Sequence, residues 1–259
     1  MSAHPHHHVA THRLTHGEAL ALKNLTVAYR GHPAVHHLDG AFERGSMTAI
    51  VGPNGAGKSS LLGALTGELR PAEGEVTRAA GLRLAYLPQQ SQIDRSFPVQ
   101  VMDVVALGLW SQLGRWRGLD AAQREQVRAA LAAVGLQGFE RRLIGEISVG
   151  QFQRVLFARV LLQQADVILL DEPFNAIDAR TTADLLGVVH RWHAEARTVI
   201  AVLHDLDQVR THFERTLLLA RRCVAWGPTA EVLRAEHLFA ARQMSQTWDE
   251  AAPRCVEPA

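Results

Sequence analysis

The sequence predicts an α/β fold in which a mostly parallel sheet is flanked by helices. The first observation is an apolar strand, Met47 to Val51, that leads through a glycine-rich loop into a helical segment, Ser59 to Leu65. The second is the regular alternation of strands and helices after residue 148. The third is the stretch 91–146, which has few β-branched runs and shows helical spacing instead. Such alternation is typical of parallel sheets covered by helices, with the middle stretch as an α-helical insertion.

Before the glycine-rich loop, two alternating segments predict an antiparallel N-terminal β subdomain. Ala19 to Val27 and Val35 to Phe42 each have the pattern of a strand, and a turn from Tyr29 to Pro33 joins them. After the loop and its helix, a proline and a glycine at 71–74 mark another turn. A short strand, Leu82 to Leu87, completes the first half of the chain.

The insertion and the second half of the chain follow in the same manner. In the insertion, residues 99–109 have helical spacing, and Asp120 begins a helix that ends at Gly135. From Ser148 onward the predicted elements are a helix through Leu162, a strand Val167 to Leu170, a helix Thr181 to Ala194, a strand Thr198 to Leu203, a hairpin of Thr216 to Ala220 with Cys223 to Trp226, and a helical, polar tail.

These elements define the expected domain organisation. Residues 18–240 form one domain, with a helical subdomain at about 91–165, and residues 241–259 form a C-terminal tail. Residues 1–17 have little apolar content and contain six histidines, His4, His6, His7, His8, His12 and His16. We expect a disordered tail or an expression remnant there, with metal binding by the histidines as the alternative.

Composition excludes several classes of protein. At 259 residues, with 47% hydrophobic and 20% charged residues, the chain is long enough for one large globular domain. A net charge of +1 gives no electrostatic case for binding nucleic acid. Cys223 and Cys255 match neither a zinc spacing nor a disulfide framework, as expected in a reducing compartment. Because the chain has no apolar run of membrane-spanning length and no secretory h-region, we expect a cytoplasmic protein.

The glycine-rich loop has the residues of a phosphate-binding site. Gly52, Gly57, Lys58 and Ser59 fit G-x-x-x-x-G-K-[ST], a loop whose backbone N–H groups surround a nucleotide's phosphates while the lysine reaches the β- and γ-phosphates and the serine ligates Mg²⁺. Lys58 is one of two lysines among 27 Lys and Arg residues, which favours a function over a solvated surface charge. The residues of the loop are Gly52, Pro53, Asn54, Gly55, Ala56, Gly57, Lys58, Ser59 and Ser60.

Two later strands end in residues that would complete such a site. In VILLDE, Asp171 stands at the carboxyl edge of a buried strand, where it can hold Mg²⁺. Glu172 beside it can polarise a water molecule for attack on the γ-phosphate, although an acidic turn after any core strand is the alternative. His204 follows the next strand, and the carboxyl ends of successive parallel strands meet on one rim. His204, Glu172 and Lys58 can therefore share a site.

The segment from Ile147 resembles the signature of a known family. ISVGQ followed by FQRVLFAR is similar to the LSGGQ motif and Gln/Arg-rich helix of ATP-binding cassette (ABC) ATPases, and the likeness covers roughly residues 18–237. The resemblance implies a P-loop NTPase of ABC type that binds ATP and Mg²⁺ and hydrolyses the ATP. It also implies that Tyr29 stacks on adenine, that Gln89 senses Mg²⁺ and the attacking water, and that His204 contacts the γ-phosphate.

The resemblance further implies that two chains share each ATP. Asp171 would hold Mg²⁺ through water, and Glu172 would be the general base. The residues that would reach toward the second copy are Ser148, Gly150 and Gln151, which contact its ATP, and Asp178, which crosses the interface. A helix that begins at Ser148 fits this role because its N-terminal N–H groups and dipole attract anions.

Three positions depart from the family pattern. Ser60 replaces a usual Thr and Asn175 a usual Ser, both mild changes. Val149 stands where the family usually has glycine, and its bulk beside the phosphate contact is expected to slow closure of the dimer.

The stretch from Tyr86 to Gly108 narrows the resemblance to importers of manganese, zinc and iron. It reads YLPQQSQIDRSFPVQVMDVVALG, and cassettes of those importers show an Asp, then FP, then V-x-DVV-x-x-G. This implies a homodimer of ATPase subunits beneath a permease dimer, at the inner face of the cell membrane, with an extracytoplasmic binding protein as an indirect partner. Zinc or manganese is the expected solute. The alternatives are a siderophore or cobalamin importer, and a regulatory or nucleic-acid-associated ABC ATPase without a permease.

Overall fold

The structure is a computed structural model that describes residues 17–29, 32–90, 93–110 and 118–248. The strands are β1 (Glu18–Tyr29), β2 (His32–Glu43), β3 (Met47–Val51), β4 (Glu73–Arg78), β5 (Leu84–Leu87), β6 (Val167–Asp171), β7 (Thr198–Val202), β8 (Arg215–Ala220) and β9 (Arg222–Pro228). The helices are α1 (Lys58–Thr66), α2 (Val101–Ala106), α3 (Ala121–Ala133), α4 (Val149–Gln163), α5 (Ala179–Ala194), α6 (Leu206–His212), α7 (Thr229–Val232) and α8 (Ala235–Trp248).

The larger sheet confirms the predicted α/β architecture. Its six strands lie in the order β5-β6-β7-β3-β8-β9, and every neighbouring pair is parallel except β8 and β9. That antiparallel pair is the predicted hairpin around Arg221 and Arg222. All five residues of β3, β6 and β7 are buried, which explains why these strands have continuous apolar runs rather than an alternating pattern.

The smaller sheet is the antiparallel N-terminal subdomain, with strands in the order β2-β1-β4. The strand β4 replaces part of the turn predicted at 71–74. Its sequence, EGEVTR, is polar and largely exposed, and it is held to β1 by backbone pairing such as Leu22 with Val76. An edge strand of this kind has no apolar alternation that the sequence could show.

Two hydrophobic cores lie on opposite faces of the six-stranded sheet. Val167 and Leu169 of β6 face the core shared with the small sheet and α1. Ile168 and Leu170 face the core shared with α4 and α5. The alternation of a strand therefore assigns successive residues to two different cores, and it leaves the strand ends at the rim as the place for polar groups.

The predicted helical insertion is formed by α2, α3 and α4, which pack on one another through buried side chains such as Val105, Leu131 and Phe152. Asp120 begins α3 as predicted, since its carboxylate accepts from the backbone N–H of Gln123 in a capping box. The short helix α6 was not predicted from the sequence. It begins at the cap Asp205, directly after the rim of the sheet.

The ends of the chain are described only in part. Residues 1–16, which hold the six histidines, lie outside the described residues, as do residues 249–259. The helix α8 runs through the expected boundary at 240, and Ala241 on it is buried. Part of the expected tail therefore packs on the domain.

Candidate functional site

The predicted phosphate loop, acidic pair and histidine lie at one edge of the large sheet. The strands β6, β7 and β3 are adjacent and parallel, so their carboxyl ends point the same way. β3 leads into Gly52, β6 ends in Asp171 and Glu172, and β7 is followed by His204. The topology places all four residues on neighbouring strand ends, as the sequence predicted.

The loop between β3 and α1 depends on glycine at two positions where the backbone is crowded. At Gly52, a Cβ atom would lie 1.9 Å from the carbonyl oxygen of Leu219, and at Gly57 it would lie 2.1 Å from that of Ala34. Gly57 also has a φ of 92° and is the N-cap of α1. Only glycine allows the loop to fold back over the start of α1, where free backbone N–H groups attract anions.

The ammonium group of Lys58 is enclosed by the loop. Its Nζ atom donates to the carbonyl oxygens of Gly52 and Pro53, each at 2.9 Å, and the side chain is buried. Burial lowers the pKa of Lys58, while Glu172 and Asp171 act in the opposite direction. A cation held with so little water nearby interacts strongly with an anion that enters the loop.

Asp171 is a buried carboxylate, and one of its two oxygens has no hydrogen-bond partner among the described residues. Burial and the neighbouring Glu172 raise its pKa, and hydrogen bonds from Ser59 and Tyr86 lower it. The Tyr86 hydroxyl lies 3.5 Å from Oδ2, and the other oxygen, Oδ1, is buried without a hydrogen-bond partner in the structure. A buried acceptor of this kind calls for a cation or a donor that the chain itself does not supply.

The carboxylate of Glu172 is held from both sides. Gln89 Nε2 donates to Oε2 at 2.7 Å, and Asn175 Nδ2 donates to the same oxygen at 3.1 Å. His204 Nε2 lies 2.5 Å from the other oxygen, Oε1. The backbone of Glu172 is left-handed, with φ at 49°, and its N–H donates to the carbonyl oxygen of Val202. These contacts fix the orientation of the Glu172 carboxylate at the rim of the sheet.

The signature residues lie in a second group. Ser148 caps α4, and it exchanges hydrogen bonds with Gln151: its Oγ accepts from Gln151 N at 3.2 Å, and its N–H donates to Gln151 Oε1 at 2.9 Å. Asp178 caps α5 and accepts from Thr181 N and Thr181 Oγ1, hydrogen bonds that lower the pKa of the Asp178 carboxyl. Gly150 lies beside this pair, since a Cβ there would be 3.6 Å from Asp178 Oδ2.

The predicted site residues therefore form two groups in one chain. The first contains Lys58, Ser59, Gln89, Asp171, Glu172 and His204, and the second contains Ser148, Gly150, Gln151 and Asp178. None of the hydrogen bonds given for the described residues joins the two groups. Tyr29 is the last residue of β1, and the contact of its ring with adenine stays a prediction. Val149, the departure from the signature, is 39% exposed at the first turn of α4.

Two residues that contact the site were not predicted to do so. Asn175 was noted only as a departure from the family pattern, yet its amide contacts Glu172. Tyr86 contacts Asp171, and it lies on β5 opposite Leu169 of β6. The pairing of β5 with β6 is the signal that could have identified Tyr86. The contact of Asn175 depends on the local turn after Glu172, for which the sequence carries no pattern.

The fold and this arrangement of loop, acidic pair and histidine define a P-loop nucleoside triphosphatase. A protein-family model described as "ABC transporter" matches residues 35–175 of the chain. The chain is 41% identical over 229 residues to the zinc transport system ATP-binding protein TroB of Treponema pallidum, covering 85% of each chain. It is 36% identical over 225 residues to the manganese transport system ATP-binding protein MntB of Listeria monocytogenes, covering 85% of this chain and 94% of that protein.

A solved structure supports the same conclusion. It is described as an inward-facing conformation of a proposed metal-chelate type ABC transporter, and the TM-score is 0.79 at 26% identity, over 87% of this chain and 89% of that one. The chain belongs to the ABC transporter family, and it is an ATP-binding subunit that hydrolyses ATP. No helix within the described ranges has both the length and the apolar character needed to cross a membrane.

Proposed function

We propose that this chain is the ATPase subunit of an importer for a divalent metal ion, zinc or manganese, and that it works as a homodimer beneath two permease subunits at the inner face of the membrane. The relatives named for zinc and manganese transport carry this proposal, together with the segment from Tyr86 to Gly108. ABC cassettes act as dimers with a membrane permease. An extracytoplasmic binding protein would deliver the ion to the permease.

The residues around Asp171 fit a Mg²⁺ ion. The unpartnered oxygen of Asp171, the hydroxyl of Ser59 and the amide of Gln89 are hard oxygen ligands, which Mg²⁺ prefers, alone or through water. When bound with ATP, the ion would neutralise charge on the β- and γ-phosphates. We assign Ser59 as a ligand of the ion, Asp171 as a residue that holds it through water, and Gln89 as the residue that senses the ion and the attacking water.

Glu172 is the proposed general base. Gln89, Asn175 and His204 together hold its carboxylate at the rim, so the oxygen that accepts a proton from the attacking water has a defined position. Lys58 contacts the β- and γ-phosphates, and His204 contacts the γ-phosphate once ATP is bound. The contacts of His204 and Gln89 with Glu172 are then the arrangement before ATP and water take their places.

Among the described residues no hydrogen bond joins the two groups, and this supports a shared site between two copies. The signature residues Ser148, Gly150 and Gln151, with Asp178, would face the phosphate loop of the second copy. In this arrangement ATP is bound on one side by Lys58 and on the other by the first turn of α4. Two ATP molecules lie between the two chains, and binding of ATP draws the chains together.

The contact with the permease is proposed at the exposed apolar side chains of the insertion. Phe97, Leu107 and Trp110 are 67%, 49% and 71% exposed, and all three belong to one short segment. Large apolar side chains with this exposure are typical of a surface that another protein covers. Phe97→Ser and Trp110→Ser are expected to leave the hydrolysis rate of the isolated subunit unchanged and to reduce its assembly with the permease.

The experiment that tests the proposed chemistry is Glu172→Gln. With ATP and Mg²⁺, the variant should form a stable dimer in analytical ultracentrifugation, and its turnover should fall by about a hundredfold or more. The control is Glu125→Gln, because Glu125 pairs with Arg128 on the surface of α3. A Glu172→Gln variant that stays monomeric with ATP and hydrolyses it at the normal rate would exclude both the assignment of Glu172 as the general base and the proposed ATP-dependent dimer interface.

The transport assignment needs a separate experiment. The complex with its permease and binding protein, reconstituted in vesicles, should take up zinc or manganese when ATP is inside. Uptake of a siderophore or cobalamin in place of the free ion would replace the metal assignment. Hydrolysis stimulated by RNA or DNA, without any membrane partner, would exclude transport.

A further inference from the structure

Two side chains just after Gln89 contact the residues that lead into the signature helix. Arg95 donates from Nε and Nη2 to the carbonyl oxygen of Ile144, at 3.3 and 3.1 Å, and from Nη2 to the carbonyl oxygen of Ile147. Gln90 Nε2 donates to the carbonyl oxygen of Val149 at 2.9 Å. We call Gln90 and Arg95 the brace. Their acceptors lie on both sides of Ser148, the N-cap of α4.

The guanidinium of Arg95 is suited to this position. Its planar guanidinium reaches the carbonyl oxygen of Ile144, the first residue of the 3₁₀ turn Ile144–Glu146, and that of Ile147 just after the turn. The Cζ atom of the guanidinium lies 4.9 Å from the centre of the Phe152 ring on α4. A planar cation with several fixed donors can satisfy both acceptors and stack on the ring at once. The ammonium of a lysine cannot reproduce that geometry. Arg95 thus holds the chain at two points just before the signature.

The same short segment contacts the proposed catalytic carboxylate at its other end. Gln89, the residue before the brace, donates to Glu172 Oε2 at 2.7 Å. Gln89, Gln90 and Arg95 therefore contact, between them, Glu172 and the start of α4, the part of the chain proposed to face a second copy. Gln89 and Gln90 are consecutive residues, so the hydrogen bond to Glu172 and the hydrogen bond to the start of α4 are made by neighbouring side chains.

We propose that Gln90 and Arg95 are positioning residues that make the signature end of α4 move together with Gln89. Closure of the signature on the ATP of the second copy and placement of Gln89 beside Glu172 then occur as one step. This inference rests on the proposed function, because it needs the ATP-dependent dimer. It goes beyond that function by giving a role to two side chains that are not among the predicted site residues.

The brace is polar, and Arg95 meets the apolar packing of the helical subdomain at the Phe152 ring. That packing is apolar and buried, and Val105, Leu131 and Phe152 belong to it. Arg95 and Gln90 lie at its margin and are partly exposed. Their loss should therefore change the orientation of the signature more than the stability of the subdomain.

The test uses Arg95→Met in the Glu172→Gln background, where ATP should trap the dimer. We expect the ATP concentration for half-maximal dimerisation to rise by about tenfold or more, because hydrogen bonds from a charged donor are lost. The affinity of the single chain for a fluorescent ADP analogue and the Tm should stay the same. Arg95→Lys should recover only part of the loss.

The matched control is Arg142→Met. Arg142 is an arginine of the same subdomain whose guanidinium lies 4.1 Å from the centre of the Phe139 ring. The Arg142→Met variant in the Glu172→Gln background should dimerise at the same ATP concentration as the Glu172→Gln parent. If Arg95→Met lowers the Tm, Gln90→Ala replaces it in the test, because it removes a single partly exposed amide, and we expect a smaller shift in the same direction.

The outcomes separate this inference from the proposed function. If the Glu172→Gln parent does not dimerise with ATP, the proposed function fails. If the parent dimerises and neither Arg95→Met nor Gln90→Ala changes the ATP concentration required, the brace has no positioning role. A shift shown equally by Arg142→Met would also overturn the inference, since it would reflect a general weakening of the subdomain.

Discussion

His204 Nε2 lies 2.5 Å from Glu172 Oε1, although the two residues are 32 positions apart in the chain. The contact forms because β6 and β7 are adjacent parallel strands, with Asp171 opposite Val202, so the residues that follow them meet at the rim. The imidazole is 43% exposed, whereas the carboxylate is 15% exposed. The histidine is therefore the more exposed partner of this pair.

The first prediction concerns His204. His204→Ala should reduce kcat for ATP hydrolysis by about a hundredfold, because a preorganised donor to the γ-phosphate is lost, while ADP affinity changes little. His204→Gln, which keeps a donor, should recover part of the rate. Steady-state hydrolysis and ADP titration check this. His237→Ala serves as the control, because His237 contacts the carbonyl oxygen of Val232 instead. Equal rates for His204→Ala and this control would contradict the prediction.

The second prediction concerns Asn175, whose amide donates to Glu172 Oε2 at 3.1 Å. Asn175→Ala should lower kcat by about tenfold, the usual effect of losing one hydrogen bond to a charged group. Asn175→Asp should lower it further, because a second carboxylate would repel the first. Turnover measured at saturating ATP decides the matter. Wild-type rates in both variants would show that Gln89 and His204 hold Glu172 without help.

The third prediction compares two glycines of the phosphate loop. Both have left-handed backbones, with φ of 75° at Gly55 and 92° at Gly57, but only Gly57 is crowded. Gly55→Ala should cost about 1 kcal/mol of unfolding free energy, from its backbone alone. Gly57→Ala should cost about 3 kcal/mol or more, because its Cβ would collide with the carbonyl of Ala34. Denaturant unfolding without nucleotide measures both, and equal costs would contradict the crowding seen at Gly57.

The fourth prediction concerns pH and a histidine pair outside the site. His190 Nε2 lies 3.0 Å from His212 Nδ1. Burial lowers the pKa of His190 below the ordinary value of 6.5, and His212 and His193 lower it further. The unfolded chain then binds a proton that the folded chain does not. This contribution to stability is present above pH 6.5 and is lost as the pH falls through the lower, folded value.

The measurement for this pair is the Tm of wild type and His190→Gln between about pH 7.5 and about pH 5.5. The variant should lose less Tm on acidification than the wild type does. If His190→Gln and wild type lose the same Tm, the pair does not contribute to the acid sensitivity.

The large sheet and the members of the first site group could be predicted because their chemistry restricts the residue type. A phosphate loop needs glycines where no Cβ fits, and it needs a lysine narrow enough to be enclosed, so Gly52, Gly57 and Lys58 stand out in the sequence. Buried strands that end in polar residues are equally visible, as Asp171 shows. The roles of Gln89 and Asp178 came from the resemblance to the family, and they stay predictions.

Other features could not be predicted, because they depend on geometry that leaves no pattern in residue types. The strand β4 is held by backbone pairing at a polar edge, so its side chains carry no period. The contact of Asn175 with Glu172 requires the left-handed backbone of Glu172, a conformation that glutamate rarely adopts. In the sequence Arg95 is one of 25 arginines. Only the fold shows that its guanidinium donates to the carbonyl oxygens of Ile144 and Ile147.

The insertion leaves and rejoins the sheet at a single margin. The chain departs after Leu87 on the edge strand β5 and returns at Val167 on β6, and the two strands are paired in register, with Leu87 opposite Leu170. Mutations in the parts of the insertion away from Gln89 and from Ser148 to Gln151 can therefore adapt it to a new partner without altering the residues that hold Glu172. In this way, cassettes that share one ATP-hydrolysing site can come to serve different partners in the course of evolution.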